Sequence, residues 1–224
     1  MIIGVIVAMQ SELDNLLQAM EDIETMHVNS FTFYGGRLEK NEVVAMQCGI
    51  GKVNAATGAL TLIEGWKPDA VINTGIAGGT GQGAGVMDIV AGEQVAYHDV
   101  WCGPGNEPGQ VQGFPPAFDG ALDLFGIPAL AEAGKLKCGL IASGDRFIST
   151  PEELQRVLEV QPRAMAVDME SAAIAQVCYI KKLPFLAIRV ISDTPGVENH
   201  LDQYADFWTR APRETFAILK EIAS

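Results

Sequence analysis

Basic residues are scarce in this chain of 224 residues. Fifteen lysines and arginines stand against 28 aspartates and glutamates, which gives a formal net charge of −13 at pH 7. A surface with this charge repels phosphate backbones and anionic lipid headgroups. The composition therefore argues against nucleic acid and membrane as partners and favours a neutral or cationic small ligand.

Cysteine and histidine are also few. The chain has four cysteines and three histidines, and the cysteines form no Cys-x-x-Cys pair and have no histidine at a zinc-site spacing. This spacing predicts reduced thiols rather than a disulfide framework or a zinc centre. We expect the protein to need neither a metal nor a cofactor. The cysteines are Cys48, Cys102, Cys138 and Cys178.

Long hydrophobic runs are absent from the sequence. No stretch of 18 apolar residues occurs, and the apolar residues 1–7 lack the basic flank and the length of a signal segment. We therefore expect a cytoplasmic protein.

Apolar residues are plentiful but dispersed. They make up 48% of the chain, the mean hydropathy is +0.17, and a chain of this length can bury them in one core. Short β-branched runs alternate with longer amphipathic stretches, which predicts one α/β domain over residues 1–224 with a largely parallel sheet. The predicted strands are Ile2–Val7, Phe31–Leu38, Glu42–Gln47, Ala70–Asn73, Asp88–Tyr97, Leu136–Ser143, Met165–Val167 and Phe185–Ile191. The predicted helices are Ser11–Met20, Lys52–Gly65, Pro151–Val160, Glu170–Lys182 and Tyr204–Ala223.

Two charged clusters interrupt this apolar pattern near the C-terminal end. Residues 168–170 read Asp-Met-Glu, and residues 189–193 read Arg-Val-Ile-Ser-Asp at the end of a run that predicts a buried strand. Four residues apart on a strand, Arg189 and Asp193 should point to the same face. Asp193 should lie at the carboxyl edge of the sheet, where open α/β folds bind ligands. A buried Arg189–Asp193 pair that only satisfies itself is the alternative.

Residues 99–120 differ from their surroundings. They contain four prolines, five glycines and the aromatic residues Trp101, Phe114 and Phe118. Irregular segments of this length in compact domains are usually functional or disordered, and aromatic side chains indicate packing. We expect a pocket wall or a subunit contact.

Two glycine-rich turns follow predicted strands, at residues 48–52 and 73–79. The first ends in Gly-x-Gly-Lys, but it lacks the four-residue spacer of a phosphate loop, and Val53 follows Lys52 in place of Ser or Thr. The second lacks the spacing of a dinucleotide fingerprint. Neither turn therefore predicts a nucleotide phosphate site. Both could be simple tight turns, but a doubly wound sheet would bring them to the same edge as Asp193.

In these motifs the chain resembles the 5′-methylthioadenosine/S-adenosylhomocysteine nucleosidases, within the superfamily of purine nucleoside and uridine phosphorylases. The matching stretches occur in family order and span nearly the whole chain. They are Gly4–Met9 with Glu12, Gly49–Ala56, Asn73–Gly79, Asp88–Val90, Tyr97–Asp99, Ser143–Ile148, Val167–Glu170 and Arg189–Asp193.

The resemblance implies a single α/β domain with a mixed, twisted, partly closed β-sheet flanked by helices, of the nucleoside phosphorylase type. It implies a homodimer in which the partner contributes to the pocket, and a role in methionine salvage. The implied reaction is hydrolysis of the N-glycosidic bond of 5′-methylthioadenosine and S-adenosylhomocysteine, which releases adenine and a 5-thioribose.

The resemblance also assigns roles to residues. Glu12 corresponds to the general base that activates water, and Asp193 to the acid that protonates or hydrogen-bonds purine N7, supported by Ser192. Phe147 would stack on adenine, and Ile148 would bond it through its backbone. Glycoside cleavage places positive charge on the ribose and negative charge on the purine, so an acid at the base and carboxylates at the sugar suit the reaction.

At the sugar, the resemblance places Glu170 on the ribose hydroxyls, Met169 beneath the ring and Arg189 beside it. A sugar-side Arg189 would leave Asp193 unpaired, and a pKa lowered by pairing would make Asp193 a poor acid. The remaining residues implied for the substrate-binding wall are Met9, Ile50, Ile76, Ala77, Gly78 and Asp168.

Phosphorylases of this superfamily hold phosphate with arginine in the first βα turn and at a later strand end. Here the first turn carries Glu12, and the later strand leads into Asn73-Thr74 without arginine. A carboxylate repels a phosphate dianion and suits a water nucleophile. The residues therefore favour a hydrolase over a phosphorylase.

The chain departs from the family's usual residues at three places. Ile76 replaces the common serine, Asp168 replaces the more frequent glutamate, and the segment around Trp101 differs from the aromatic-rich version. A shorter acid at position 168 would change contacts to base or ribose, and Trp101 would reshape the 5′ pocket. The alternatives are hydrolysis of another nucleoside (futalosine, its aminodeoxy form, or AMP), a phosphate-dependent phosphorylase, and a nucleoside-binding protein without turnover.

Overall fold

A computed structural model describes residues 1–195, 207 and 218–222 of the chain. Strands and helices alternate, and the bounds of the predicted elements agree with those of the structure to within two residues at most ends. In chain order the elements are β1 (Ile2–Val7), α1 (Gln10–Ala19), β2 (Glu21–Val28), β3 (Phe31–Leu38), β4 (Asn41–Gln47), α2 (Lys52–Trp66), β5 (Ala70–Gly79), β6 (Ile89–Tyr97), β7 (Phe118–Asp119), α3 (Ile127–Glu132), β8 (Lys137–Ser143), α4 (Pro151–Val160), β9 (Ala164–Asp168), α5 (Ser171–Lys181) and β10 (Phe185–Asp193).

The ten strands form one mixed sheet. Its order is β10-β6-β8-β9-β5-β1-β4-β3-β2, with β7 paired to β6 and an additional pairing between β10 and β5. The strands β5, β10, β6, β8 and β9 therefore form a closed ring, from which β1 to β4 extend as an open wing. This mixed, partly closed sheet is the one that the family resemblance implies. The expectation of a largely parallel sheet is wrong in detail, because β2–β3, β3–β4, β5–β9, β6–β7 and β6–β10 pair antiparallel.

Helices cover the sheet on both sides. On one side α2 and α5 bury Leu62 and Ile174 against the sheet, within one continuous apolar cluster. On the other side α1 buries Leu13 and Leu16, in a second cluster that includes α3 and residues 218–222. Burying apolar surface on both faces of the sheet is the main source of stability for this architecture.

Small residues allow α2 and α5 to lie close to the sheet. A Cβ added at Gly58, in the middle of α2, would lie 2.9 Å from the Cβ of Cys48 and 2.8 Å from the terminal methyl of Met46. In α5, Ala172 and Ala173 are buried. The small-residue pattern of this helix predicts such close packing, and the structure confirms it.

Three elements are absent from the prediction, namely β7, α3 and β2, and β2 is the longest of them. All eight of its residues are exposed, and its sequence Glu-Asp-Ile-Glu-Thr-Met-His-Val has no alternation of apolar and polar residues. It forms the edge of the open wing and is held by antiparallel pairing to β3. Pairing to a neighbouring strand, rather than burial of a face, therefore determines its conformation.

The predicted C-terminal helix Tyr204–Ala223 lies largely outside the described residues, as does Tyr204 itself. Residues 207 and 218–222 are helical, and Phe207 is buried against Val190 with Ile76 beside it. No helix within the described ranges is long and apolar enough to cross a membrane.

The long segment 99–120 packs partly on its own chain. Phe114 and Phe118 both contact the ring of Tyr179, with centroid distances of 6.0 and 5.6 Å. Trp101, by contrast, is 66% exposed. Two of the three aromatic residues therefore anchor the segment to α5, and the third is left at the surface.

Three parallel strands bring the motif residues to one edge of the sheet. β5 lies between β1 and β10, with Asn73 opposite both Ile6 and Ala187. The turn after β1, the end of β5 and the end of β10 consequently meet, and β9 joins them through pairing of Val167 with Gly78.

A bulge near the end of β10 changes the predicted facing of its residues. Ile191 pairs with Ala77 and Asp193 with the next residue, Gly78, so that Ser192 is an extra residue in β10. An extra residue interrupts the two-residue alternation of a strand. The prediction that Arg189 and Asp193 share a face through simple alternation is therefore wrong.

Candidate active site

A cleft of about 650 Å³, including its open mouth, lies at the edge where these strand ends meet. Each predicted site residue except Arg189 is part of its described wall. Four further wall residues, which the sequence analysis does not include, are Ala8, Arg146, Val167 and Pro195, each within two residues of a predicted one. The wall consists of Ala8, Met9, Glu12, Ile50, Ile76, Ala77, Gly78, Arg146, Phe147, Ile148, Val167, Asp168, Met169, Glu170, Ser192, Asp193 and Pro195.

Glu12 is held by backbone amides at the floor of the cleft. Its Oε2 accepts hydrogen bonds from the amides of Ala8 and Met9, both at 2.9 Å, and its Oε1 accepts one from the amide of Ile76 at 3.1 Å. The first two amides belong to the β1–α1 turn, at the N-terminus of a helix, which is a favourable position for a negative charge. The carboxylate of Glu12 thus fills an anion site made by its own chain.

Burial raises the pKa of Glu12 above its usual value, although the charge of Arg189 and the three amides act in the opposite direction. The side chain is only 5% exposed. A raised pKa makes the ionised carboxylate a stronger base than one in water.

Gly75 leaves the room that Glu12 occupies. A Cβ added at Gly75 would lie 2.4 Å from Oε1 of Glu12, well inside van der Waals contact. The prediction of a glycine-rich turn at residues 73–79 is wrong, because these residues continue β5 to Gly79. Glycine is nevertheless required at position 75, since any side chain there would displace the carboxylate.

Asp193 also belongs to the wall, lies at the end of β10 and is 3% exposed. The hydroxyl of Ser192 lies 2.6 Å from its Oδ1 and 3.2 Å from the carbonyl oxygen of Ala77. A hydroxyl has one proton, and the shorter contact to Asp193 is the better hydrogen bond. Ser192, the extra residue of the bulge, thus orients the Asp193 carboxyl group.

Glu170 connects the cleft to the N-terminus of α2. Its Oε1 accepts a hydrogen bond of 2.9 Å from the amide of Gly51, directly before the first residue of that helix. Burial and the charge of Asp168 raise the pKa of Glu170 to about 7, against the opposing effects of the Gly51 amide and the Arg189 charge. This carboxyl group therefore titrates near neutrality in the free protein.

Arg189 lies behind the wall, 2% exposed, and pairs with Asp168 rather than Asp193. Its Nε donates to Asp168 Oδ2 at 2.8 Å. One terminal nitrogen lies 2.7 Å from the same oxygen and donates to the Asn73 side chain and, at 2.9 Å, to the Ser171 hydroxyl. The other donates to the carbonyl oxygens of Asn73 and Ile188, at 3.3 and 3.2 Å.

A guanidinium group has five N–H donors, and these contacts use all of them. The predicted contact of Arg189 with the sugar is therefore corrected, because the group has acceptors within the protein for every donor. The expectation that Arg189 would not pair with Asp193 agrees with the same contacts. Arg189 does form a buried ion pair within the protein, but the carboxylate in that pair belongs to Asp168.

Asp168 fixes the start of α5. Its Oδ1 accepts hydrogen bonds from the amides of Glu170 and Ser171, both at 3.3 Å, and from the Ser143 hydroxyl at 2.5 Å. The Ser143 hydroxyl oxygen in turn accepts a hydrogen bond of 2.9 Å from the amide of Ala172. These contacts satisfy the free amides at the first turn of the helix and set the backbone position of Glu170.

Carboxylates dominate the charge of the described wall. It contains Glu12, Asp168, Glu170 and Asp193, while Arg146 is the one cation among its described residues and pairs with Glu153 at 2.5 Å. Within the described residues there is no cluster of three histidine, cysteine or acidic side chains able to hold a metal. The arrangement can stabilise a cationic group, and it offers two buried carboxyl groups from separate elements, Glu12 on α1 and Asp193 at the end of β10.

Comparison with known proteins places these features in context. The family model of the phosphorylase superfamily matches residues 2–224. A curated 5′-methylthioadenosine/S-adenosylhomocysteine nucleosidase of Staphylococcus aureus (strain JH9) is 42% identical over 203 residues, which cover 88% of this chain and 88% of that protein.

Solved structures give the same result. An S-adenosylhomocysteine nucleosidase from Streptococcus pyogenes, in complex with 5-methylthiotubericidin, has a TM-score of 0.93 and 33% identity, and the match covers 99% of this chain and 95% of that one. The 5′-methylthioadenosine/S-adenosylhomocysteine nucleosidase from Neisseria meningitidis, in complex with methylthio-immucillin-A, has a TM-score of 0.91 and 36% identity, with coverage of 99% and 97%.

The raised pKa of Glu170 predicts how stability depends on pH. Its pKa in the folded protein, about 7, exceeds the ordinary value of 4.5, so the folded state holds this proton more tightly than the unfolded state. Stability from this group is full below pH 4.5 and decreases as the pH rises toward 7. Glu170→Gln removes that decrease. Its free energy of unfolding relative to wild type should therefore rise with pH across this window, by on the order of 3 kcal/mol.

Chemical denaturation at a series of pH values measures this difference. Glu159→Gln, an exposed change on α4, is the matched control and should track the wild type. A Glu170→Gln difference that stays constant with pH would contradict the assignment.

Proposed function

The chain belongs to the phosphorylase superfamily, and we propose that it is an enzyme that hydrolyses the N-glycosidic bond of 5′-methylthioadenosine and S-adenosylhomocysteine, releasing adenine and a 5-thioribose. The proposed substrate class is that of the relatives named above. It is carried over to this chain because the motifs that the chain shares with the family form its cleft wall. The site roles that follow are part of the same proposal.

One observation carries the choice of water as the nucleophile. The amides of Ala8, Met9 and Ile76, which could bind an anion, already bind the carboxylate of Glu12. A phosphate entering this part of the cleft would meet a negative charge in place of free N–H donors. Arg146, the cation of the described wall, is paired with Glu153. Hydrolysis is therefore favoured over phosphorolysis.

Glu12 is the proposed general base. The three amides fix its orientation, and its raised pKa increases its affinity for the proton of an attacking water. Because both oxygens are held by the backbone, the base needs little rearrangement when the reaction occurs.

Asp193 is the proposed acid at the purine. Cleavage leaves negative charge on the base, and a carboxyl group near N7 can donate a proton or a hydrogen bond to it. The 2.6 Å contact with Ser192 holds the carboxyl group in one orientation.

Glu170 and Met169 are the proposed ribose contacts, and Phe147 and Ile148 the proposed adenine contacts. When the carboxyl group of Glu170 is ionised, it stabilises the positive charge that develops on the sugar. Phe147 is 48% exposed and offers a ring face at the mouth of the cleft. The purine ring can stack on this face.

We further propose a homodimer located in the cytoplasm. Ile50 and Phe147 at the cleft, Val53 on the first turn of α2 and Trp101 are large apolar side chains with exposures between 48% and 77%. Apolar side chains exposed near a cleft are typical of a protein interface. All four cysteines are free thiols, as is usual in a reducing compartment.

The proposed activity predicts adenine release from both substrates. Purified protein incubated with 5′-methylthioadenosine or S-adenosylhomocysteine should form adenine and the matching thioribose, as measured by liquid chromatography. Futalosine, aminodeoxyfutalosine and AMP, tested in parallel, should be cleaved more slowly. Folded protein that releases no adenine from either thio-nucleoside would contradict the proposal. Faster cleavage of one of the other three would move the substrate assignment to that compound.

The acid and base roles predict large losses of turnover. Glu12→Gln places an amide NH₂ where backbone N–H groups now donate, and Asp193→Asn removes a proton donor, so each should lower kcat by about 100-fold or more. Asp14→Asn is the matched control, because Asp14 is an exposed carboxylate on the same helix as Glu12. Steady-state kinetics of adenine release measure the effect. A wild-type kcat in either site variant would overturn its role.

A further inference from the structure

Three side chains outside the described wall of the cleft form a closed ring of hydrogen bonds beside it. The Nζ of Lys52 donates to both oxygens of Asp99, at 2.8 and 2.7 Å, and lies 3.9 Å from Asp145 Oδ2. The amide of Asp145 donates to Asp99 Oδ2 at 2.8 Å. The amide of Lys52 donates to Asp145 Oδ1 at 2.7 Å and closes the ring.

The ring joins three sequence motifs through residues to which the proposed function gives no role. Lys52 ends the Gly-x-Gly-Lys turn, and Asp99 ends the motif 97–99. Asp145 precedes residues 146–148, which include the proposed adenine contacts Phe147 and Ile148. Lys52 follows a Gly-x-Gly turn that resembles a phosphate loop only in part. In the structure, however, it is committed to Asp99.

The ring is connected to both ends of the proposed substrate. Gly51, next to Lys52, donates to Glu170 at the proposed ribose end, while Lys52 itself holds Asp145 at the purine end. The N-terminus of α2 thus binds two carboxylates through successive amides, which is a favourable use of its dipole.

The purine-binding residues depend on such an anchor because they form neither helix nor strand. Phe147 is 48% exposed, so packing restrains its ring only partly. On the far side the segment is fixed by Arg146, which pairs with Glu153 at 2.5 Å, and by the burial of Ile148. On the near side the contacts of Asp145 fix it.

Lysine is needed in the ring because two carboxylates approach the same point. Asp99 and Asp145 would repel each other without a cation between them. The side chain of Lys52 is 24% exposed, and its Nζ also lies 5.4 Å from the centre of the Tyr97 ring. Partial burial and several partners make this pairing stronger than an isolated surface ion pair.

We propose that Lys52 is a positioning residue for purine binding, acting through Asp99 and Asp145 on residues 146–148. The inference rests on the proposed function, because it takes these residues to be the adenine site. It assigns Lys52 an effect on affinity for the base, with little effect on the chemical step, since Glu12 and Asp193 have no contact with the ring among the hydrogen bonds described above.

The test compares Lys52→Met with Lys181→Met. Lys181 forms an ion pair of the same kind with Glu64, at 2.8 Å on the surface of α5, and serves as the matched control. Calorimetric titration with adenine gives Kd, and steady-state cleavage of 5′-methylthioadenosine gives KM and kcat. Lys52→Met should weaken adenine binding and raise KM by about tenfold, the size of one charge-assisted hydrogen bond, with kcat changed less than about threefold. Lys181→Met should match the wild type.

A second pair of variants separates positioning from general destabilisation. Lys52→Arg keeps a cation that can bind both carboxylates and should restore Kd to within about threefold. Asp145→Asn keeps an oxygen for the Lys52 amide but loses the charge, and should weaken adenine binding in the same direction. If Lys52→Met does not fold, Asp145→Asn decides the question.

Three results would overturn the inference. One is an unchanged adenine Kd in folded Lys52→Met or Asp145→Asn, and another is a loss of kcat at constant Kd and KM. In both cases a wild type that cleaves the substrate leaves the proposed function intact. The third is a wild type that neither binds adenine nor releases it, which would remove the proposed function and this inference together.

Discussion

The carboxylate of Glu12 on three backbone amides is the interaction on which the site depends. The amides of Ala8 and Met9 belong to the turn between β1 and α1, and the amide of Ile76 belongs to β5, so one side chain joins two parts of the sheet edge. Gly75 must lack a side chain for this arrangement to exist. By filling its own anion site, the chain excludes an external anion and retains a desolvated base. The same contact thus explains why position 75 is a glycine and why water, rather than phosphate, is the nucleophile.

A second constraint concerns the single buried cation near the cleft in the described structure, Arg189. Its guanidinium group contacts Asp168, Asn73 and Ser171. Asp168 also accepts hydrogen bonds from the amides of Glu170 and Ser171, which fixes the first turn of α5. Glu170 then lacks a direct cationic partner among the contacts described, and its pKa rises to about 7 through burial and the charge of Asp168. A site with more acidic than basic side chains stabilises a positively charged sugar better than a neutral sugar. The net charge of the chain points to the same preference.

Local patterns determine much of this structure. The apolar run before Arg189 predicts β10, and the family resemblance implies most of the residues that form the cleft wall. The partner of Arg189 could not be predicted, because alternation along a strand places Asp193 on its face, whereas the bulge at Ser192 and the closure of β5, β10, β6, β8 and β9 bring Asp168 to it. Strand β2 could not be predicted either, since pairing to β3 alone holds its exposed residues. The ring of Lys52, Asp99 and Asp145 could not be predicted either, because it joins residues that are far apart in the sequence.

Because Glu12 occupies the place that an attacking phosphate would need, phosphate should take no part in the reaction. The most direct measurement is the rate of 5′-methylthioadenosine cleavage as inorganic phosphate is added to a phosphate-free reaction, with the sugar product followed by ³¹P NMR. We expect full turnover without phosphate, no acceleration when it is added, and a sugar without phosphorus. Turnover that requires phosphate and forms a sugar 1-phosphate would contradict the account.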